Sequence, residues 1–237
     1  MKFVKYSHYF ETRFIYAKAT WISQTNEDRL TLFQKDYPNI DRGKMHIMPN
    51  YPPKAWRNHL KPWHERKKNS MVYVGSLAFE STYIREFCDW IKSQEYYTLD
   101  IYSYNFHLEV ENYLNNIHDD KIRFFPRGIE YDLLPTILNQ YSIGVILHKA
   151  FNENYKYNAT NKLFEYLACD LNVWFSKELL GCFKYINSGS YPIVKPFDFL
   201  NLERINPYGL ETAKNYKPRH YWCEDVYNKL LVEIEKV

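Results

Sequence analysis

From Met71 onward the chain alternates short apolar runs with longer amphipathic stretches, and this alternation narrows the fold more than any other feature. Strands are expected at Met71–Gly75, Thr98–Tyr102, Ile122–Phe125, Ser142–Leu147, Asn172–Phe175 and Tyr191–Val194. Helices are expected between them, at Ser81–Ser93, Phe106–Ile117, Asp132–Gln140, Asn161–Cys169 and Cys182–Ile186, with a final one at Glu224–Glu235. In the first of these, Ile84, Phe87, Cys88 and Ile91 fall on one face, as a helix lying against a core requires. Strict alternation of the two element types implies a parallel sheet covered on both faces. Ligands bind such sheets at the carboxyl ends of the strands. The residues following Val74, Phe125, Leu147 and Phe175 are therefore where chemistry is expected.

The N-terminal part is organised differently. Residues 7–37 read as helical at both ends with a short strand at Ala19–Ser23 between, and Asn26 to Arg29 supply capping residues ahead of Leu30, Leu32 and Phe33. Pro38 ends that helix, and Lys44–Met48 reads as a second short strand. Residues 51–70 carry three prolines and six basic residues (Lys54, Arg57, Lys61, Arg66, Lys67, Lys68) against Glu65. Proline fixes φ and disfavours helix before it, so this stretch reads as an extended linker. The resulting division is an N-terminal segment (1–50), the basic linker (51–70), an α/β domain (71–222) and a C-terminal helix (223–237).

Composition removes several function classes. A net charge of +3 over 237 residues is too weak to indicate a nucleic-acid partner. The four cysteines lack the spacing of a zinc site or a redox dithiol. No apolar run reaches the roughly 20 residues of a membrane span, and the N-terminus lacks the apolar core of a signal peptide, so the chain reads as cytoplasmic. There is no Gly-x-Gly-x-x-Gly, no P-loop, no Gly-x-Ser-x-Gly elbow and no Asp-x-Asp.

The strongest motif lies past the most apolar strand. Ser142-Ile-Gly-Val-Ile-Leu-His148 is followed by a loop and then by Asn161-Lys-Leu-Phe-Glu-Tyr-Leu-Ala168, with a strand after it. This resembles the donor-binding motif Lys-x-x-Glu-Tyr-x-Ala of retaining GT-B glycosyltransferases, family 4 and its relatives. Other pieces occur in the order that family shows: the Gly75-Ser76 turn, the loop Phe125-Pro-Arg-Gly128, and the pair Ile22 to Arg29 with His46 to Asn50. The resemblance runs over about residues 15–235. It implies a Rossmann-like donor-binding domain joined to a short remnant of an acceptor domain.

On that resemblance Gly75, Ser76, Arg127, His148, Asn161, Lys162 and Glu165 form the donor site, with Glu165 holding the ribose. Elementary physics points the same way. A helix N-terminus offers free N–H groups and partial positive charge to a diphosphate, and Lys162 adds a full charge in the first turn. Plainer readings exist: Lys162 and Glu165 also suit a surface ion pair, Gly75 a simple turn, and a lone histidine such as His148 more often serves structure than catalysis. The sequence departs from the family at Tyr157, where a glutamate is usual, with Glu153 nearby. Asp170 stands for a glycine, and Asn172 for a proline. The basic pair that clamps the diphosphate has only Arg85 as a candidate.

The function implied is a retaining, hexosyl-type glycosyltransferase. It would use a UDP- or GDP-linked sugar as substrate, with no metal or other cofactor, and a glycan or lipid-linked acceptor in cell-surface polysaccharide biosynthesis. The basic stretch 54–68, with Trp56 and Trp63 interleaved, adds an expectation of contact with an anionic membrane surface at the cytoplasmic face. The second reading is a non-catalytic or split-subunit module that binds a nucleotide-sugar and needs an acceptor-domain partner protein.

Overall fold

The structure, a computed structural model, describes residues 9–202 and 215–235. Near the N-terminus β1 (Ile22–Gln24), α1 (Glu27–Asp36) and β2 (Met45–Ile47) form a small β-α-β unit. The two strands pair in parallel with Ile22 opposite Met45. Asn26 caps α1 as expected, its side chain accepting the Arg29 N–H at 2.9 Å. Ile22, Leu30, Phe33, Ile40 and Met45 make a core of their own, with Tyr16 and Tyr37 packed against it. The strand expected at Ala19–Ser23 is shorter and later. Ahead of it, Glu11–Tyr16 winds as a π-helical turn; the expected start at residues 7 and 8 lies outside the described residues.

The main body is a six-stranded, all-parallel sheet of β3 (Ser70–Val74), β4 (Thr98–Tyr102), β5 (Ile122–Phe125), β6 (Ile143–Ile146), β7 (Asn172–Ser176) and β8 (Val194–Phe197). The strand order is β5-β4-β3-β6-β7-β8. The chain thus builds outward from β3 in one direction, returns to β6 and builds outward in the other. The crevice at the carboxyl ends of β3 and β6 is the switch point at which such sheets bind ligands.

Helices cover both faces: α2 (Ile84–Ser93), α3 (Leu108–Asn115), α4 (Leu134–Leu138), the short α5 (Glu153–Lys156), α6 (Asn161–Ala168) and α7 (Cys223–Ile234). Met71 and Tyr73 of β3 join a core with Ile84, Phe87, Ile91 and Val110. Val72 and Val74 enter the opposite one with Leu134, Leu163, Phe164 and Leu167. Every residue of β3 and of β7 is buried, as double coverage demands.

Three local expectations need correction. The last strand is β8 at Val194–Phe197, displaced from Tyr191–Val194. Its Pro196 reads as a strand breaker, yet β8 is an edge strand, where a missing N–H is tolerated. The helix placed at Asp132–Gln140 is a 3-10 turn, Tyr131–Leu133, running into the five-residue α4. Residues 51–70 are only partly extended: Lys54–His59 and Trp63–Glu65 form 3-10 turns. Trp56 is buried against the second core, its ring 5.2 Å from that of Tyr131.

Arg66 is also buried, and it donates to the Cys169 carbonyl at 2.5 Å, to the Asp170 carbonyl at 2.9 Å and to that of Lys61 at 3.1 Å. A cation thereby closes the C-terminal end of α6, where the helix dipole is negative. No helix among the described residues is long and apolar enough to cross a membrane.

Candidate functional site at the switch point

The carboxyl ends of β3, β4 and β5 and the first turn of α6 surround a cavity of about 810 Å³. Val74, Gly75 and Ser76 supply one wall, Tyr102, Tyr104 and Asn105 a second, Arg127 to Tyr131 a third, and Lys162 projects from α6. The β3 turn is tightly defined. Gly75 has φ +156°, which a side chain would strain, and a Cβ there would lie 3.2 Å from the Tyr73 hydroxyl. That hydroxyl donates to the Ser76 carbonyl at 2.6 Å, while the Gly75 N–H continues the ladder to the Tyr102 carbonyl at 3.1 Å.

Four of the seven expected site residues, Gly75, Ser76, Arg127 and Lys162, therefore line one cavity. Asn161, Glu165 and His148 do not. Asn161 is exposed at the start of α6, and its side chain accepts from Asn50 at 3.3 Å. Glu165 is 5% exposed and pairs with Lys162 at 2.7 Å. A carboxylate so buried needs that cation, so Lys162 and Glu165 act as a unit and neither is a solvated surface group.

His148 sits past the end of β6, half-buried, with its ring 6.2 Å from that of Tyr155. Burial, and then the charge of Lys162, push its pKa down to about 4. It is therefore a neutral imidazole near neutral pH. The clamp candidate Arg85 lies elsewhere, its guanidinium 4.1 Å above the ring of Phe79.

The cavity's charge is distinctive. Arg127 and Glu130 line it and form no ion pair with any described residue. Lys162 is partly neutralised by Glu165, so the free positive charge comes from Arg127 together with the helix end. Thr160, the residue before α6, has a buried hydroxyl without a hydrogen-bond partner among the described residues. A free cation, a helix N-terminus and a turn glycine together suit an anionic group. Tyr102, Tyr104 and Tyr131 add flat surfaces for a planar ring.

Tyr104, Asn105, Glu130 and Tyr131 were not singled out by sequence. The carboxyl end of β4 lacks a motif of its own, and only the rule that all strand ends face the crevice would have found Tyr104 and Asn105.

The departures at Asp170 and Asn172 have structural counterparts. Asp170 follows α6 with φ +55°, in a Schellman arrangement: its N–H bonds the Leu167 carbonyl at 3.0 Å, and that of Leu171 bonds the Tyr166 carbonyl at 2.9 Å. Its carboxylate holds His220 at 2.8 Å and the Tyr216 hydroxyl at 2.7 Å. Asn172 is buried and accepts the Ile193 N–H at 2.7 Å. Tyr157 instead offers a backbone carbonyl, which accepts from Asn26 at 2.7 Å.

Two features lie outside the crevice. A cavity of about 600 Å³ is lined by Tyr9, Tyr16, Tyr37, Asp41, Lys44 and neighbours, none from the six-stranded sheet. The candidate metal ligands Glu80, His107 and Glu109 converge within 4.8 Å, but all three are exposed and none lines the 810 Å³ cavity.

No protein-family model matches the chain. No curated protein matches it either. Solved structures do. The pneumococcal O-GlcNAc transferase GtfA, solved with UDP and GlcNAc, superposes over 97% of this chain and 47% of its own, with a TM-score of 0.61 and 16% identity. WaaG, a glycosyltransferase of lipopolysaccharide biosynthesis, covers 96% of this chain and 62% of its own, with a TM-score of 0.61 and 15% identity. Anabaena HepE, solved with UDP and glucose, covers 99% and 67%, with a TM-score of 0.68 and 10% identity. The chain thus spans about half of GtfA and less than two thirds of WaaG. The fold of this chain is that of the group 1 glycosyltransferases of the GT-B class.

Proposed function

We propose that the chain binds a UDP- or GDP-linked sugar in the 810 Å³ cavity and serves as the donor side of a retaining, hexosyl-type glycosyltransferase. The observation that carries this reading is the convergence of the Gly75–Ser76 turn, Arg127 and Lys162 on one cavity at the switch point. Two structures sharing the fold were solved with UDP. The base lies beside Arg127 to Ile129, flanked by tyrosines. The diphosphate lies between the β3 turn and the start of α6. Lys162 and the helix end stabilise the departing diphosphate, the electrostatic role that most accelerates such a reaction. The reading assigns no metal. Glu165 acts by orienting Lys162, and the ribose contact inferred from resemblance passes through that pair. The acceptor is a glycan or a lipid-linked sugar of cell-surface polysaccharide synthesis.

Titration calorimetry with UDP, GDP and their sugars tests the proposal. Binding is expected, weakened about tenfold or more in Arg127→Ala, which breaks no side-chain hydrogen bond among the described residues. The same loss is expected in the double variant Lys162→Ala, Glu165→Ala. A folded chain that binds none of these ligands refutes the reading.

A second reading is a module that binds the nucleotide-sugar but needs an acceptor-domain partner protein. The chain spans 47% of GtfA and 62% of WaaG, so the side that would receive the sugar is not among the residues described. Contact with an anionic membrane surface would rest on the exposed Lys54, Arg57, Lys61, Lys67 and Lys68, because Trp56 and Arg66 are buried. Flotation with anionic vesicles at low salt tests it, and absence of binding ends it.

A further inference from the structure

At the switch point, one hydroxyl from α6 is inserted between β3 and β6. The ladder between these strands pairs Met71 with Ile143 and Val72 with Gly144. Although β3 runs on to Val74 and β6 to Ile146, no further pair forms. The Val74 N–H donates to the Tyr166 hydroxyl at 3.1 Å, and that hydroxyl points its own hydrogen at the Val145 carbonyl, 3.4 Å away. The hydroxyl thus occupies the place a strand-to-strand bond would take, where the strands must part to leave a crevice.

The site is built for this ring. Tyr166 is fully buried, and a Cβ on Gly144 would lie 2.3 Å from its Cγ and Cδ2. Only glycine at position 144 leaves space for the ring across β6. Burial raises the pKa of the hydroxyl well above the usual tyrosine range. It therefore stays protonated and can both donate and accept. Tyr166 neighbours Glu165 on α6, and Val74 leads directly into the Gly75–Ser76 wall of the cavity. One side chain consequently ties the helix that carries Lys162 to the turn that faces it.

We infer that Tyr166 is a positioning residue: its hydroxyl keeps β3 and β6 apart and sets the Val74–Ser76 backbone in the geometry that receives the donor diphosphate. Without it, two buried backbone groups lose their partner. Such groups are seldom left unpaired, and with a ring still lying across β6 the strands cannot close on each other, so the Val74–Ser76 backbone would loosen from its position to find other partners. The inference rests on the donor-binding reading for its functional consequence, but its structural part stands alone.

The test compares Tyr166→Phe with Cys88→Ala, a substitution in the opposite core at a residue that does not line the cavity. Two readouts are taken at a temperature where all three proteins are folded. The first is affinity for UDP and GDP by calorimetry. The second is amide hydrogen exchange at Val74 and Gly75. Tyr166→Phe should bind about tenfold more weakly and exchange at least tenfold faster at Val74, whereas Cys88→Ala should match wild type in both. Wild-type affinity in Tyr166→Phe overturns the inference. If the wild-type chain binds neither nucleotide, the donor reading fails and exchange decides the remainder: faster exchange in Tyr166→Phe alone supports the wedge, and unchanged protection overturns it.

Discussion

Replacing Asp170 with glycine sets two effects of opposite sign against each other. The residue holds φ +55° at the end of α6, a conformation that costs an ordinary side chain about 1–2 kcal/mol and glycine nothing. On backbone grounds alone Asp170→Gly should stabilise the chain by about 1 kcal/mol, since aspartate tolerates this region better than most residues. Against this stand the hydrogen bonds from Tyr216 at 2.7 Å and His220 at 2.8 Å to a carboxylate that is 4% exposed. Hydrogen bonds to a charged group contribute about 1.5–3 kcal/mol each, so about 3–6 kcal/mol is lost.

The net expectation is destabilisation by about 2–5 kcal/mol, or a fall in Tm on the order of 5–20 °C for a chain of this size. Asp170→Asn keeps the conformation and one acceptor and should cost about 1 kcal/mol. Thermal and urea denaturation measure both. Limited proteolysis should also show residues 215–222 cut earlier in Asp170→Gly. An Asp170→Gly variant as stable as wild type, or more so, would refute the reasoning and show that the backbone effect dominates.

Three further outcomes follow from single contacts. Lys162→Ala leaves the buried Glu165 carboxylate unpaired and should cost about 3 kcal/mol in urea denaturation, while adding Glu165→Ala should restore part of it. Gly144→Ala forces a Cβ to within 2.3 Å of the buried Tyr166 ring and should cost about 1–3 kcal/mol, and Tyr166→Ala in the same chain should relieve part of the clash. His148, with its pKa lowered to about 4, is held neutral by the fold, so the unfolded chain takes up its proton first as pH falls. Its contribution is present above the ordinary pKa of about 6.5 and is lost between there and pH 4. Denaturation across that range should show a fall of about 2 kcal/mol, allowing for partial exposure, that His148→Gln flattens.

The parallel sheet could be read from sequence because double coverage makes its strands continuous apolar runs. Residues 71–74 and 142–147 carry that signal in almost every position. The start of α6 was equally legible, since Leu163, Phe164 and Leu167 repeat at helical spacing beyond Thr160 and Asn161. Residues 51–70 were not, because prolines and lysines suggest solvated chain. The burial of Trp56 and Arg66 depends on a hydrophobic pocket and a helix end that only the tertiary fold supplies. The role of Asp170 was partly accessible, since aspartate is among the few residues that replace glycine at a left-handed helix end, but its partners His220 and Tyr216 lie 50 and 46 residues away. Within the site, Lys162 with Glu165 suited a surface pair or a functional one, and the burial of Glu165 removes the first. No spacing rule could have placed the Tyr166 hydroxyl between two strands.

The central claim is that the cavity at the carboxyl ends of β3, β4 and β5, beside the first turn of α6, receives a nucleoside diphosphate. Nuclear magnetic resonance of the backbone amides during titration with UDP and GDP tests it most directly. The account predicts saturable shifts concentrated at Gly75 to Leu77, Gly128 to Tyr131 and Asn161 to Leu163. Shifts confined to the cavity around Tyr16, Tyr37 and Lys44, or none with either nucleotide, would contradict it.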